Sequence, residues 1–273
     1  MGGRDFSLKF IGDIAVVRIA ENSVMQEDTV GQLILSKYPH IRSVVRVYGV
    51  TGPMRTPNAR VLAGSNETET LHVEYGCCYL LDVLKLMFSL GNSHERMRLA
   101  SQVRPGEVVV DMFAGVGQFT VPIAVKASPK HVYAFEINPT AYEYLVRNIH
   151  LNKLEGRVTP ILDDARNSPS YGLVGGADRV VMGYLKGTIE FIPTALRLCK
   201  PSGSVIHFHE LAGRNAGWQQ LFQECTSIAA QQGLSLRLIN YRMVKSYSAR
   251  MAHWVLDLLA LSKSILQPSG SLA

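Results

Sequence analysis

The sequence has few charged residues and no long apolar run. Only 18% of its 273 residues are charged, below the ~25% typical of soluble domains, while 47% are hydrophobic. Such a chain is not expected to be disordered, and its length fits one large domain with or without a small companion. Apolar runs such as 108–110 and 258–261 are far shorter than the ~20 residues that span a bilayer, so no transmembrane helix is expected.

Cysteine is scarce as well. The four cysteines form no C-x-x-C pair and two of them are adjacent, which excludes a disulfide framework and a spaced metal clamp. Residues 1–9 carry charges and lack the apolar segment of a secretory signal. We therefore expect no metal site and a location in the reducing cytoplasm. The cysteines are Cys77, Cys78, Cys199 and Cys225.

Acidic residues are outnumbered by basic ones. The chain has 22 Asp and Glu against 28 Lys and Arg, a formal net charge of +6. Because total charge is low, the excess reflects few acids rather than many bases. A polyanionic partner such as a nucleic acid is one interpretation, and a basic protein without such a partner is the other.

The first 75 residues lack strong helical periodicity and carry several strand-like runs separated by turn residues. This pattern predicts a small β-rich domain over residues 1–75, with a short helix after Thr29. A connecting segment with a helix is expected over residues 76–105. The strand-like segments are 9–19, 43–50, 59–62 and 70–83.

The texture changes beyond about residue 93, where short apolar runs alternate with helix-length stretches. Such alternation is typical of a parallel sheet with helices on both faces, and we expect it to occupy residues 106–273. Asn138 followed by Pro139 predicts a helix start. The expected strands are 107–112, 131–136, 157–162, 178–182 and 204–208, then two closing strands, 235–241 and 251–259, joined by a basic loop at 242–250.

A glycine turn follows the strand at 107–112. Gly115 and Gly117 let the backbone turn sharply and approach a ligand, and the next helix presents free amides to an anionic group. The third small residue of a dinucleotide fingerprint is replaced by Thr120, which disfavours NAD. An ordinary strand-to-helix turn is the alternative interpretation.

Acidic residues end the next two strands. Glu136 lies about twenty residues after Gly115, where a carboxylate can accept hydrogen bonds from both ribose hydroxyls. Asp163 and Asp164 end the third strand, where a carboxylate can receive an adenine amino group. Because parallel strands deliver their carboxyl ends to one edge, the sequence predicts a nucleoside site there.

Four motifs together resemble a known group of enzymes. They are Asp111-Met-Phe-Ala-Gly-Val-Gly-Gln-Phe119, 138–149, 178–182 and 244–250, and they are similar to the S-adenosylmethionine-dependent enzymes that modify the guanosine beside the anticodon of tRNA. The resemblance spans residues 13–259. It implies an α/β class I methyltransferase-like Rossmann fold, a mostly parallel twisted sheet with an antiparallel closing strand, preceded by a small β-rich α+β domain.

That group has two branches, which differ in two motifs. The guanine N1-methyltransferases carry Phe-Ser-Pro-Arg-Leu and an Asn-Leu-Pro turn, whereas Phe88-Ser-Leu-Gly-Asn-Ser-His-Glu-Arg96 and Met182-Gly-Tyr-Leu185 resemble the wybutosine-pathway branch. N1 methylation needs donors near O6 as the N1 proton leaves, so the missing Arg and Asn matter.

The resemblance therefore implies transfer of the 3-amino-3-carboxypropyl group of S-adenosylmethionine to C7 of 4-demethylwyosine in phenylalanine tRNA, releasing 5′-methylthioadenosine. We expect a monomer that binds the tRNA anticodon arm. The N1-methyltransferase is one alternative activity. A tRNA-binding module without turnover is another, although the Gly115, Gly117, Glu136 and Asp164 set argues against it.

The same resemblance implies that Ser89 and Arg96 contact the cofactor, and we expect Arg96 to bind the migrating carboxylate, since a guanidinium can do so bidentately. Asp111 would orient either the glycine turn or the methionine amino group, and Tyr184 would either stack on the substrate base or pack in the protein. The expected cofactor contacts are Ser89, Arg96, Asp111, Phe113, Gly115, Gly117, Glu136, Ile137, Asp163, Asp164 and Ala165.

No general base is evident. The catalytic candidates are Arg96, Glu95 and His207, and an enzyme without one is equally consistent with an electron-rich carbon nucleophile. Glu95 also completes a capping box with Asn92, which favours a helix-capping role. His207 and His209 would share one strand face, without a third residue to complete a metal site.

A basic segment lies near the C-terminus. Five bases and one acid occur between residues 237 and 263, with aromatic residues between them, which is typical of a phosphate-contacting surface. A solvated hairpin is the alternative interpretation. The expected RNA contacts are Arg242, Lys245, Tyr247 and Arg250, and Arg42, Arg46, Arg55 and Arg60 would extend the surface.

Overall fold

The computed structural model describes residues 6–20 and 25–262, and it begins with a four-stranded sheet covered by one helix. The strands lie in chain order and are antiparallel except for the parallel pair β2–β3. Val30 and Ile34 of α1 share a core with Val44 and Leu62 of the sheet. The elements are β1 (Phe6–Ile11), β2 (Ile14–Ile19), α1 (Glu27–Lys37), β3 (Ser43–Thr51) and β4 (Thr56–Gly64).

The segment 9–19, predicted as one bent strand, is a hairpin of two strands that turns at Gly12. Gly12 has a φ of +55°, and a Cβ there would lie 2.1 Å from Thr70 Oγ1. Only glycine fits this turn, because both its backbone conformation and its surroundings exclude a side chain. The predicted helix after Thr29 starts earlier, at Glu27.

A separate hairpin follows, formed by β5 (Glu69–Glu74) and β6 (Cys77–Asp82), and leads to α2 (Ser93–Gln102). Backbone groups along β6 of this hairpin form hydrogen bonds with side chains rather than with another strand. Asn148 accepts from Leu80 N at 2.7 Å and donates to Leu80 O at 3.1 Å, and Asn152 pairs in the same way with Cys78. These amides attach the hairpin to the C-terminal end of the helix Pro139–Leu151, which contains Asn148 and is followed by Asn152.

The largest sheet has seven strands in the order β12-β13-β11-β10-β7-β8-β9. All neighbouring pairs from β11 to β9 are parallel, whereas β13 runs antiparallel to β11 and β12. This confirms the predicted fold, including its antiparallel closing strand. The strands are β7 (Val108–Asp111), β8 (His131–Glu136), β9 (Val158–Leu162), β10 (Arg179–Met182), β11 (Ser204–Gly213), β12 (Leu234–Ser246) and β13 (Met251–Ser262).

Four more helices accompany this sheet. As predicted, Asn138 caps one of them: its side chain accepts from the amides of Thr140 and Ala141, and Pro139 follows it. In the described part of the chain, no helix is long and apolar enough to cross a membrane. The helices are α3 (Thr120–Lys126), α4 (Pro139–Leu151), α5 (Ile192–Leu198) and α6 (Gly217–Gln231).

The four-stranded and seven-stranded sheets share buried contacts. Ile14 and Val45 belong to the same apolar cluster as Val109 and Val121. Because these contacts join the two sheets in one core, they do not mark a domain boundary, and the predicted division of the chain at residues 75 and 105 stays a prediction.

Candidate active site

A cleft opens at the carboxyl ends of β7, β8, β9 and β10. The chain passes from β7 through β8 to β9 on one side, and β10 lies on the other, so the cleft is at the topological switch of the sheet. Ligands of such folds bind at this position. The expected cofactor contacts that line it are Phe113, Gly115, Glu136, Ile137, Asp163, Asp164 and Ala165.

The glycine turn forms the floor of the cleft. Gly117 has a φ of +94°, and a Cβ there would lie 2.8 Å from a methyl group of Val121. Asp111 lies beneath the turn, fully buried, and accepts from Phe113 N at 3.2 Å and from the Thr120 hydroxyl at 2.7 Å. Burial raises the pKa of Asp111 to about 6. These contacts fit the role of orienting the turn.

Glu136 extends from the end of β8 to the glycine turn. One carboxylate oxygen accepts from Gly115 N at 2.7 Å and the other from Asn138 N at 2.8 Å. No cation pairs with it among the described residues, and burial raises its pKa. Each carboxylate oxygen keeps a second acceptor site, so the group can still accept the two hydroxyls of a ribose.

Acidic residues at the end of β9 line the other wall. Asp163 accepts from Asn167 Nδ2 at 2.8 Å and from the Tyr171 hydroxyl at 2.9 Å. Asp164 caps the following 3₁₀ turn through Arg166 N, and hydrogen bonds from Arg166 lower the pKa of that carboxyl. An adenine amino group would therefore share Asp164 with Arg166.

Three aromatic residues also line the cleft. Phe113 stacks on Tyr184 with ring centres 5.1 Å apart and planes 24° apart, and Phe191 meets Phe113 edge-on. The Tyr184 hydroxyl donates to Pro53 O at 3.1 Å. Tyr184 thus packs in the protein, and its stacking on a substrate base stays a prediction.

Ser89 lies just behind the cleft wall. Its amide donates to Oε1 of Gln118, a cleft residue, at 3.1 Å, and its hydroxyl accepts from Lys245 Nζ at 2.9 Å. Arg96 is completely buried behind it. The guanidinium binds both carboxylate oxygens of Glu74, at 3.0 and 2.6 Å, and the carbonyl of Ser89 at 2.9 Å. A direct bond from Arg96 to a migrating carboxylate does not fit this arrangement, because Glu74 already occupies the guanidinium.

The capping role predicted for Glu95 is wrong. Asn92 makes no side-chain cap bond, and its Oδ1 accepts from Lys245 instead, at 2.8 Å. Glu95 is buried and pairs with Arg98, which also binds Asp257. Because Glu95 lies in this interior ion pair rather than in the cleft, it does not fit the role of general base either.

His207 is also an interior residue. It is 0% exposed and lies between Asp257, 2.6 Å from Nδ1, and Arg179, 2.7 Å from Nε2. Burial lowers its pKa. A substrate-facing role for His207 is therefore wrong in this structure. His209 pairs with His253 at 2.9 Å, and no group of residues suited to hold a metal ion occurs among the residues that the structure describes.

The predicted RNA-binding loop is much shorter than expected, because β12 continues to Ser246 and β13 begins at Met251. Arg242 and Lys245 lie on β12: Arg242 approaches Glu95 at 3.5 Å, and Lys245 points inward to Ser89. Tyr247 and Arg250 are exposed on the turn. Lys263, the last base of the predicted segment, lies outside the described residues.

Two cleft residues were missed as site residues. Gln118 lies inside the glycine motif, where its long polar side chain was the only signal. Arg55 was placed on an RNA surface, but it lines the cleft and donates to the carbonyls of Tyr184 and Leu185 at 3.2 and 3.3 Å. Tyr184 and Leu185 follow Arg55 by about 130 positions in the chain, so the sequence pattern could not reveal these contacts.

Comparison with known proteins gives a consistent assignment. Residues 70–237 match the model of the TRM5/TYW2 methyltransferase domain, and residues 6–68 match the TYW2 N-terminal domain. The chain is 40% identical, over 90% of its length and 95% of the relative's, to tRNA(Phe) (4-demethylwyosine(37)-C(7)) aminocarboxypropyltransferase of Methanocaldococcus jannaschii. It is 35% identical to tRNA (guanine(37)-N(1))-methyltransferase Trm5b of Pyrococcus abyssi, over 92% of this chain and 74% of that one.

Solved structures agree with the sequence relatives. The crystal structure of P. horikoshii TYW2 in complex with MeSAdo matches with a TM-score of 0.81 and 33% identity, covering 93% of this chain and 90% of that one. M. jannaschii TYW2 in complex with AdoMet matches with a TM-score of 0.75 and 34% identity, covering 94% and 100%. Since the domain model covers more than half of the sequence and the relatives cover nearly all of it, the chain belongs to the TRM5/TYW2 methyltransferase family.

Proposed function

We propose that this protein transfers the 3-amino-3-carboxypropyl group of S-adenosylmethionine to C7 of 4-demethylwyosine in phenylalanine tRNA. The observation that carries the proposal is the match of residues 6–68 to the TYW2 N-terminal domain. It is joined by the 40% identity, over nearly the whole chain, to tRNA(Phe) (4-demethylwyosine(37)-C(7)) aminocarboxypropyltransferase of Methanocaldococcus jannaschii. The Met182-Gly-Tyr-Leu185 turn beside the cleft supports the same branch.

The cleft suits an adenosyl group. Glu136 would accept the ribose hydroxyls, because no cation among the described residues neutralises it and both its oxygens keep an acceptor site. Asp164 would accept the adenine amino group, with Ile137 and Ala165 against the base. Gly115 and Gly117 would let the backbone approach the remainder of the molecule.

The chemistry requires position more than acid–base help. S-adenosylmethionine supplies an electrophilic carbon next to a positively charged sulfur. A carbon–carbon bond forms between C7 of the base and Cγ of the 3-amino-3-carboxypropyl group. The Cγ–S bond breaks and its electron pair stays on sulfur, and C7 loses its proton to solvent. The products are the alkylated base and neutral 5′-methylthioadenosine. The protein must present Cγ rather than the methyl group to C7, and rigid cleft walls such as the Phe113–Tyr184 stack serve this purpose.

Guanine N1 methylation is the second candidate. It is favoured by the match to the crystal structure of Trm5b from Pyrococcus abyssi, with a TM-score of 0.83 and 33% identity over 93% of this chain and 75% of that one. Against it, Met182-Gly183-Tyr184 stands where the methyltransferase branch carries Asn-Leu-Pro. The prediction of a cytoplasmic monomer stays a prediction.

The test is product analysis. The protein is incubated with S-adenosylmethionine and with tRNA that carries either guanosine or 4-demethylwyosine beside the anticodon, and the small product is identified by mass spectrometry. We expect 5′-methylthioadenosine, formed only with the tricyclic base. S-adenosylhomocysteine would establish methyl transfer instead, and the absence of both products would establish a binding protein.

A further inference from the structure

Four basic residues lie near one another in the structure and are here called the cationic junction: Lys9, Arg18, Arg55 and Lys245. Lys9 and Arg18 lie on the exposed face of the β1–β2 hairpin, where Lys9 pairs with Val16 and Arg18 with Ser7. Lys245 comes from β12. None of the four bases forms an ion pair with a carboxylate among the described residues.

Lys245 is the most unusual member of the junction. Its ammonium group is held by two neutral oxygens, Ser89 Oγ at 2.9 Å and Asn92 Oδ1 at 2.8 Å. Burial, and after it the charges of Lys9, Arg18, Arg96 and Arg55, lower the pKa of Lys245 to about 8. Arg55 adds a buried Nε that has no hydrogen-bond partner. An ammonium among like charges is costly unless an anion joins it.

Gly91 leaves room for such an anion. A Cβ on Gly91 would lie 3.4 Å from Lys245 Nζ and 3.7 Å from Lys9 Nζ, and its three nearest atoms all belong to these two side chains. The φ of Gly91 is outside the left-handed region, so its backbone does not require glycine. Gly91 places an exposed position without a side chain next to two ammonium groups, and an anion there would form charge-assisted N–H···O bonds of about 2.7–2.9 Å after small movements of the lysines.

We propose that Lys9 and Lys245, above Gly91, bind a backbone phosphate of the substrate RNA and so position the target nucleotide at the cleft. This rests on the proposed function for the identity of the RNA. Gly91, Lys9 and Arg18 are exposed, so the subsite opens to solvent, as a phosphodiester requires, rather than into the cleft. It is joined to the cleft through Ser89, whose amide binds Gln118. Arg55, on the cleft wall, continues the same positive path.

The test measures RNA affinity and cofactor affinity separately. Binding of phenylalanine tRNA with 4-demethylwyosine is titrated between 50 and 200 mM salt for Lys9→Gln, Lys245→Gln and Gly91→Glu, and S-adenosylmethionine binding is measured by calorimetry. The matched control is Lys130→Gln, which removes an exposed lysine just before β8, at the amino ends of the parallel strands and so on the side of the sheet away from the cleft. Glutamine keeps a donor for Ser89, and thermal melting checks that each variant is folded.

We expect each lysine variant to lower the slope of log affinity against log salt by about 0.7, the value per phosphate of a single strand, since one phosphate contact is lost. Gly91→Glu places a carboxylate between the lysines, so RNA binding should weaken by more than tenfold while the melting temperature rises. Cofactor affinity and the Lys130→Gln slope should not change. The proposal is overturned if Lys245→Gln weakens S-adenosylmethionine instead of RNA, or if Lys130→Gln lowers the slope equally. Because these readouts are independent of turnover, failure to form 5′-methylthioadenosine would refute the proposed function alone.

Discussion

Two regions of this protein use carboxylates in opposite ways. At the cleft, the buried Asp111 and the partly buried Glu136 accept from backbone amides and a hydroxyl, have no cation beside them among the described residues, and have a raised pKa. In the interior between α2 and the C-terminal strands, Asp257 binds Arg98 and His207, and its pKa is lowered. The second region is called the core network: Glu95, Arg98, Asp257, His207, Arg179 and Glu107.

The difference shows how to separate functional acids from structural ones. Every carboxylate of the core network is used by guanidinium or imidazole groups, so no ligand can reach it without breaking an ion pair. Glu136 keeps acceptor capacity and lines an open cleft. The absence of a cation beside Glu136, among the residues that the structure describes, distinguishes it from Asp257, whereas the cleft residue Asp164 has Arg166 beside it and is distinguished by its exposure to the cleft.

Asp257→Ala should give the largest effect. It leaves Arg98 and His207 without their shared acid inside the protein, and breaking a buried pair from one side costs about 3–5 kcal/mol. The free energy of unfolding is measured in urea. The control Asp28→Ala removes an exposed partner of Arg60 and should cost less than about 1 kcal/mol. Equal losses in both variants would contradict a structural role for the core network.

Glu136→Gln should come next, with its effect on binding rather than on folding. The substitution keeps the size of the side chain but removes its charge, and charge-assisted bonds to two hydroxyls should be lost, weakening S-adenosylmethionine about 100-fold. Melting should shift by only a few degrees, because one backbone amide then faces a donor. Glu224→Gln on α6 should bind as the unmodified protein does. Unchanged affinity of Glu136→Gln would place the ribose elsewhere.

The same contrast explains how much could be predicted. The positions of Glu136 and Asp164 at the cleft were predictable from the sequence, because both follow or end parallel strands, and parallel strands bring their carboxyl ends to one edge of the sheet. Glu95 was not, because its role depends on Arg98, which in turn binds Asp257, 159 residues further along the chain. Arg55 and Lys245 were missed as neighbours of the cleft for the same reason: the contacts that aim them inward join distant elements.

Acid titration should give opposite signs in the two regions. The folded-state pKa of Asp257 is below the ordinary 3.8, so its stabilisation is present above that pH and is lost as the pH falls. The folded-state pKa of Asp111 is above 3.8, so its ionisation reduces stability as the pH rises from about 4 through about 6. The free energy of unfolding of Asp257→Asn, relative to that of the unmodified protein, should therefore increase towards low pH. That of Asp111→Asn should increase towards neutral pH. Urea unfolding between pH 3 and pH 8 measures both, and slopes of the same sign would remove the distinction.

The smallest expected effect is the pH dependence of RNA binding at the cationic junction, which contains no acid to compare with either region. Lys245 faces Lys9, Arg18, Arg55 and Arg96, and His253 packs beside it with its own pKa lowered by burial. With a pKa of about 8, Lys245 loses its proton as the pH rises through that value, whereas a bound phosphate would favour the charged form. RNA affinity should fall several-fold between pH 7 and pH 9 at constant salt, and binding at pH 8 should take up a proton, seen as a calorimetric heat that depends on the buffer. Both effects should vanish in Lys245→Gln and persist in Lys130→Gln. If they persist in Lys245→Gln, another group of the RNA or the protein titrates. The junction would then differ from the cleft only in carrying positive rather than negative charge.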